Sequence, residues 1–450
     1  MTRIAVIGAG IAGVTTAYAL SERGYDVTVF DQNRYAGMET SFANGGQLSA
    51  SNAEVWNKTS TVWQGMRWMM RRDAPLLINP TPSWHKYSWM AEFVGNIPNY
   101  RKNTVETVRL AIESRRHMFA MAERENIDFD LQHCGILHFY RDKDSFDKAA
   151  KVNALMVEGG LERRAVTPEE IREIEPTLKG KYYGGFFTPS DSTGDIHKFT
   201  RGLADASARR GVRFIYDAEV ETIAQKDGGY EIRWLPVGPD QEEGEAASDL
   251  WRPIQVDGVV ICAGTGSRRF ASMLGDRINI YPVKGYSITV HLDTPESQEA
   301  APTVSILDEA TKIVTSRLGR DRFRVAGTAE FNGFNRNIRH DRINPLIKWS
   351  REQFPKMSTD RVVAWCGLRP MNPSMMPRVG PGRRSGVFYN TGHGHLGWTL
   401  SAATAQLAAD AVEQAMPVAT KHAAASQATL AHLRELWGYD LAMEEVPGDG

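Results

Sequence analysis

Cysteine is nearly missing from this chain of 450 residues: there are three, Cys134, Cys262 and Cys366. Few, odd in number and far apart, they exclude a disulfide framework and a CxxC zinc pattern, and they point to a reducing compartment. No apolar run reaches the ~18 residues of a membrane-spanning helix. Neither sign of charge prevails, with 53 Lys and Arg against 54 Asp and Glu, so nothing favours nucleic acid as a partner. No internal repeat is visible, and no metal site is expected. The N-terminus carries one positive charge and an apolar stretch, but glycines at positions 8, 10 and 13 interrupt it and a second strand-like segment follows, unlike a signal peptide. A cytoplasmic protein of two or three domains is the expectation.

What is present begins at once. "RIAVIGAG" reads as a buried strand entering a tight turn, "IAGVTTAYALSERG" has helical spacing, and "YDVTVFD" is a second strand closing at Asp31. Gly8, Gly10 and Gly13 fit GxGxxG in the strand–turn–helix context that the pattern requires. Gly8 allows the turn, Gly10 admits a pyrophosphate to the backbone, and Gly13 lets helix and strand approach. Ile11 and Ala12 open the helix, whose free N–H groups and dipole favour phosphate. Asp31, with Gln32 beside it, is placed for a ribose, and an acid there favours FAD or NAD over NADP.

A second stretch narrows the choice. "TSFANGGQLS", residues 40–49, contains nothing that titrates near neutrality. An NAD-binding domain would continue with further strand–helix repeats. This segment suits wrapping a ligand with backbone and small side chains, which is enough when a flavin brings its own electron chemistry. Ser41, Asn44, Gly45, Gly46, Gln47 and Leu48 are its candidate contacts.

In order along the chain, "VIGAGIAGVTTAYAL", "ETSFANGGQLS", "TGDIHKFT", "YPVKGYSIT", "GLRP" and "NTGHGHLGWT" resemble the D-amino acid dehydrogenases, flavoproteins of the glycine oxidase and sarcosine oxidase group, over roughly residues 1–415. The resemblance implies an α/β fold in which a Rossmann-like FAD-binding domain is interleaved with an α+β substrate domain carrying a mixed or antiparallel sheet. The FAD-binding pieces are then 1–54, 196–285 and 363–416, and the substrate pieces 55–195 and 286–362. An acidic hairpin insertion falls at 236–253 and an Ala-rich helical tail at 417–450. Val220 is implied at adenine, Ala263 and Gly264 of "CAGTGS" close to the cofactor, and Gly394, His395, Leu396, Gly397, Trp398 and Thr399 at the flavin's pyrimidine end. No cysteine stands near "KGYS" or "GHGHLGW", so FAD is expected to be noncovalent.

For the substrate, the resemblance places Arg369 of "GLRP" at a carboxylate, which a guanidinium grips with two parallel hydrogen bonds. Tyr286 of "KGYS" is either a second donor to that carboxylate or a wall tyrosine. His395 either lines the pocket and titrates near neutrality or faces solvent in a turn. The implied reaction is oxidative deamination: hydride passes from the amino acid's α-carbon to flavin N5, and water hydrolyses the imine to a keto acid and ammonia. Electrons then go to a quinone or another acceptor. An oxidase that uses oxygen, and a flavin-binding subunit of a larger dehydrogenase, are the alternatives. Ser374, Met375 and Met376 stand where the branch usually has an acidic residue and glycine, and would enlarge the pocket if they reach it. Trp56, Trp63, Trp68, Trp84 and Trp89, among Arg67, Arg71 and Arg72, suit either peripheral contact with the inner membrane face or a helix packed on the substrate domain.

Overall fold

The computed structural model describes residues 1–68, 76–237 and 252–418. Arg3–Ile7 lies inside a six-stranded sheet, ordered Arg378–Pro381, Val387–Thr391, Gly258–Ile261, Arg3–Ile7, Asp26–Phe30, Arg213–Ile215. All neighbours are parallel except the edge strand Arg378–Pro381. The inner strands are apolar on both faces, as strands covered by layers on either side must be. One cover is the pair of helices Ile11–Glu22 and Gly397–Ala415, packed together across the chain's two ends. The other includes the meander Ala218–Lys226, Gly229–Pro236 and Arg252–Val256.

A second, nine-stranded sheet is mixed and mostly antiparallel. Its order is Val362–Met371, Tyr281–His291, Arg322–Phe331, Ile313–Leu318, Ser305–Asp308, Ile136–Tyr140, Gly184–Thr188, Arg164–Val166, with Leu76–Ile78 also paired to Arg322–Phe331. This is the α/β fold with a mixed sheet that the sequence implied. One difference concerns 281–285 and 363–371, allotted above to the cofactor pieces. They pair in unbroken register from Tyr281↔Met371 to Val290↔Val362, inside the large sheet. A ladder of backbone hydrogen bonds cannot be divided at a motif boundary. Most of the acidic insertion (238–251) and of the tail (419–450), and Arg71 and Arg72 of the Trp-rich segment, lie outside the described residues.

Candidate active site

A cavity of about 2260 Å³ runs between the two sheets, from Gly8, Asp31 and Val220 to Arg369 and Gly394–Thr399. Every predicted cofactor residue lines it except Gly13 and Leu48. Leu48 is buried in the core beside Trp398, while its neighbour Gln47 faces the cavity, as strand alternation requires. Gly13 serves packing: a Cβ there would lie 1.8 Å from the Gly8 carbonyl oxygen. Gly8 has φ +105°, and a Cβ on it would lie 2.7 Å from the Cys262 carbonyl oxygen, so only glycine makes this turn.

Asp31 accepts from the Ala9 N–H at 2.6 Å and from the Asn33 backbone at 2.9 Å. Burial pushes its carboxyl up and those donors pull it back. The acid thus holds the glycine turn from below and lines the cavity. The N-cap residues Gly10 and Leu396 make no side-chain cap hydrogen bond to helices Ile11–Glu22 and Gly397–Ala415. Ser41 Oγ takes the Ile11 N–H, and the dipole of each helix start favours an anion. The glycine turn, the acid at the cavity and the helix starts together fit FAD.

The stretch 40–49 is held from the large sheet, from the short strand Ser192–Thr193 and from the two helices at the cavity. Ser287 Oγ donates to the Ala43 carbonyl (2.7 Å), Arg324 Nη1 to that of Asn44 (3.0 Å) and Ser316 Oγ to that of Gly45 (2.7 Å), while Gln47 Nε2 donates to Ser305 Oγ (2.8 Å). Ser41 Oγ accepts from Ile11 N–H at 3.0 Å, and Thr399 Oγ1 from Ser49 N–H at 3.2 Å. A Cβ on Gly45 would lie 2.9 Å from Val314 and one on Gly46, with φ +74°, 2.8 Å from Ser316. Small residues are needed because the backbone itself is clamped between the layers.

At the far end Arg369 lines the cavity, on the strand Val362–Met371. Its guanidinium lies across Gly285, where a Cβ would come within 2.4 Å of Cζ. Nη1 donates to the Thr328 carbonyl at 3.0 Å. No carboxylate among the described residues pairs with it, and burial alone pulls it down to about 10, so it stays charged at neutral pH. Thr328 was not legible in the sequence. It has φ +61°, rare and strained for a β-branched residue. It sits in a bulge of Arg322–Phe331 opposite Gly285, where the register jumps between Lys284 and Tyr286. Bulges next to sites re-aim groups, and this one turns a carbonyl onto Arg369.

His395 joins Arg369 in the cavity, stacked on Trp56 with ring centroids 4.7 Å apart. Its Nε2 donates to the Asn52 carbonyl at 3.2 Å, because a carbonyl can only accept. Nδ1 is then an unprotonated, buried nitrogen without a partner. Burial, and secondarily Arg369, pull the imidazole down to about 4, so the expected titration near neutrality is corrected: this histidine is neutral there. Trp56 is a further wall residue that sequence reasoning read only as part of an apolar face.

Tyr286 is among the residues that line the cavity, but its phenol does not point toward Arg369. Arg369 pairs with Val283 and Tyr286 with Cys366 in one continuous register, so alternation sends the two side chains to opposite faces of the sheet. The buried phenol donates to Glu330 Oε2 at 2.7 Å, beside Lys284. Nor do Met375 and Met376 enlarge the pocket: both are buried in a core cluster with Val55, Trp89 and Phe93.

A family model described as FAD dependent oxidoreductase matches residues 3–411. D-amino acid dehydrogenase 3 of Mesorhizobium japonicum is 63% identical over 424 residues, covering 94% of this chain and 100% of that protein. The D-amino acid dehydrogenase of Paramagnetospirillum magneticum is 39% identical, covering 91% and 94%. Among solved structures, glycine oxidase from Geobacillus kaustophilus superposes with a TM-score of 0.69 at 21% identity, covering 94% of this chain and 98% of its own. L-proline dehydrogenase from P. horikoshii gives 0.69 at 15%, covering 92% and 93%. The chain belongs to the FAD dependent oxidoreductase family, and within it stands by sequence with the D-amino acid dehydrogenases.

Proposed function

We propose that this protein oxidatively deaminates D-amino acids, with Arg369 as the clamp for the substrate carboxylate. The observation that carries this is a charged guanidinium in the cavity with only a backbone carbonyl as partner among the described residues. A cation taken from water is costly until an anion meets it. Gly8, Gly10, Asp31, Val220 and 394–399 would hold FAD, which would supply the hydride acceptor. The chain orients the substrate: Arg369 fixes the carboxylate, and Trp56 with the His395 ring stacked on it walls the pocket. Buried Cys262, its thiol pushed up to about 12, is not a thiolate nucleophile, which supports noncovalent FAD.

Changing Arg369→Lys keeps the charge and loses the fork. A lost charged contact costs about 2–3 kcal/mol, roughly 30- to 150-fold in kcat/KM, with FAD content unchanged. On an amine lacking the carboxylate the loss should be within about threefold; equal losses on both substrates make Arg369 structural.

A quinone is the acceptor we favour over oxygen, with contact at a membrane surface. No helix among the described residues is long and apolar enough to cross a bilayer. Trp63 (66% exposed) and Phe334 (61% exposed) line the cavity mouth, with Trp84 (83% exposed) also on the surface, a pattern suited to lying in an interface. Anionic liposomes should pellet the holoenzyme at low salt, and Trp63→Ser with Trp84→Ser should abolish this; no pelleting of wild type removes the membrane reading. Faster reoxidation of substrate-reduced enzyme by a quinone analogue than by air is expected; the reverse assigns an oxidase.

A further inference from the structure

The cavity does not end at the carboxylate site. Beyond the residues assigned to FAD and to the substrate carboxylate, the cavity is also lined by His138, Tyr140, Ala149, Val152, Met156 and Arg163. Asn52 marks the division: its carbonyl holds His395, and its neighbour Ser51 shares a 3.1 Å hydrogen bond with His138. Past His138 the space runs beneath the helix Lys143–Glu158, whose Ala149, Val152 and Met156 form an apolar wall facing Tyr140.

Arg163 lies at the base of this crevice and is only 7% exposed. Its Nη1 donates to Met156 Sδ at 3.2 Å, its guanidinium lies 4.9 Å from the Phe186 ring centroid, and its Nε is buried with no acceptor. No carboxylate among the described residues forms an ion pair with it. Nearby Glu309 is taken by Lys312, with His138 on its other side. Glu54 is taken by Lys58, and Asp142 caps its own helix at Ser145. At the rim Lys148 and Lys151 stand exposed and form no ion pair among the described residues. Besides the thioether and the aromatic face, Arg163 has only the Tyr140 hydroxyl as a hydrogen-bonding side chain among the described residues. All are neutral groups that compensate a guanidinium weakly, and the guanidinium is a planar fork made for an oxyanion.

We infer that the crevice beneath helix Lys143–Glu158 is a second ligand site, separate from the substrate carboxylate site, which binds a small oxyanion with an apolar body: the head on Arg163, the body along Ala149, Val152 and Met156. Carboxylates and phosphate monoesters share this chemistry. The rim lysines draw the anion in, and the apolar wall selects a ligand with a tail over a bare ion.

The test is calorimetric titration of the FAD-loaded enzyme with hexanoate, with hexyl phosphate and hexanamide as further arms. Hexanoate should fill two sites, one lost in Arg369→Met and the other weakened at least tenfold in Arg163→Met. Arg163→Met should keep D-amino acid turnover within about twofold, which separates this site from the catalytic one. Hexanamide should leave the second site empty, and the tighter of hexanoate and hexyl phosphate identifies the preferred head group. Should Arg163→Met fail to load FAD, the pair Lys148→Gln and Lys151→Gln must weaken the same site and flatten its salt dependence. A single hexanoate site in wild type, binding unchanged in Arg163→Met, or equal binding of hexanamide overturns the inference.

Discussion

At its phosphate end the cavity is made by neighbours in sequence: Gly8, Gly10, Gly13 and Asp31 lie within one strand–helix–strand unit ending at residue 31. At its carboxylate end Gly285, Thr328, Arg369 and His395 come from separate segments of the second half of the chain, and Trp56 from the first. The first end is specified by what glycine permits, namely a positive φ and a close approach. The second is specified by pairing: Gly285 and Gly367 stand opposite one another in the ladder, and large side chains cross both. Arg369 lies over Gly285, and a Cβ on Gly367 would come within 2.2 Å of Trp365. A glycine in the first region shapes the backbone, and in the second it makes room for a neighbour's side chain.

The comparison breaks most sharply at Gly13. A side chain in Gly13→Val would collide with the Gly8 carbonyl, where even a Cβ sits at 1.8 Å. The turn must open, and the purified variant should be colourless and inactive; a yellow protein at normal flavin content contradicts the packing role.

Gly285→Ala should separate the two ends. The added methyl occupies the place of the Arg369 guanidinium and displaces it, so kcat/KM on D-amino acids should fall by the same ~30- to 150-fold as for Arg369→Lys. FAD content should stay normal, since the cradle is distant. An enzyme within threefold of wild type shows that Arg369 need not lie across Gly285.

Acid should affect the folded state at several points. Burial is the leading cause that holds His138, His393 and His395 down at about 4, against an ordinary 6.5 in the unfolded chain. Between those values the unfolded state binds more protons, so the stability these residues contribute is present above pH 6.5 and lost as pH falls toward 4. Tm should drop by several degrees over that window, and His393→Gln should shrink the drop without touching the carboxylate site.

Thr328 gives the smallest and most specific effect. Thr328→Gly accepts φ +61° without strain and keeps the carbonyl that Arg369 uses. Stability should rise by about 1 kcal/mol, less the entropy glycine adds to the unfolded chain, with KM within twofold. A large rise in KM means that the threonine side chain, and not the bulge, positions Arg369.

How far the sequence could be read follows the same division. The glycine turn and the lining of one cavity by the expected residues were legible in the sequence, because that geometry depends on local φ values and on short spacings. Leu48 was the exception among cavity contacts, since alternation in a two-residue strand points it into the core. Arg369 was singled out by its motif, and for Tyr286 the sequence left open a carboxylate donor or a wall tyrosine: "KGYS" and "GLRP" carry no sign of how the two strands pair, and one step of register reverses every side chain. The titration of His395 was misjudged because burial and the Arg369 charge act through space.

The amino-acid order by itself determined the glycine turn, the strands of the first sheet, the absence of a disulfide framework and the identity of the two signatures at the chain's ends. Each rests on interactions between residues close in sequence, or on composition alone. Only the tertiary structure decided that residues 40–49 are gripped by Ser287, Ser305, Ser316 and Arg324, that Thr328 turns its carbonyl to Arg369, and that Arg163 is buried without an acid. Those partners are scattered along the chain, and the free energy of a buried charge depends on what the fold brings within a few ångströms of it.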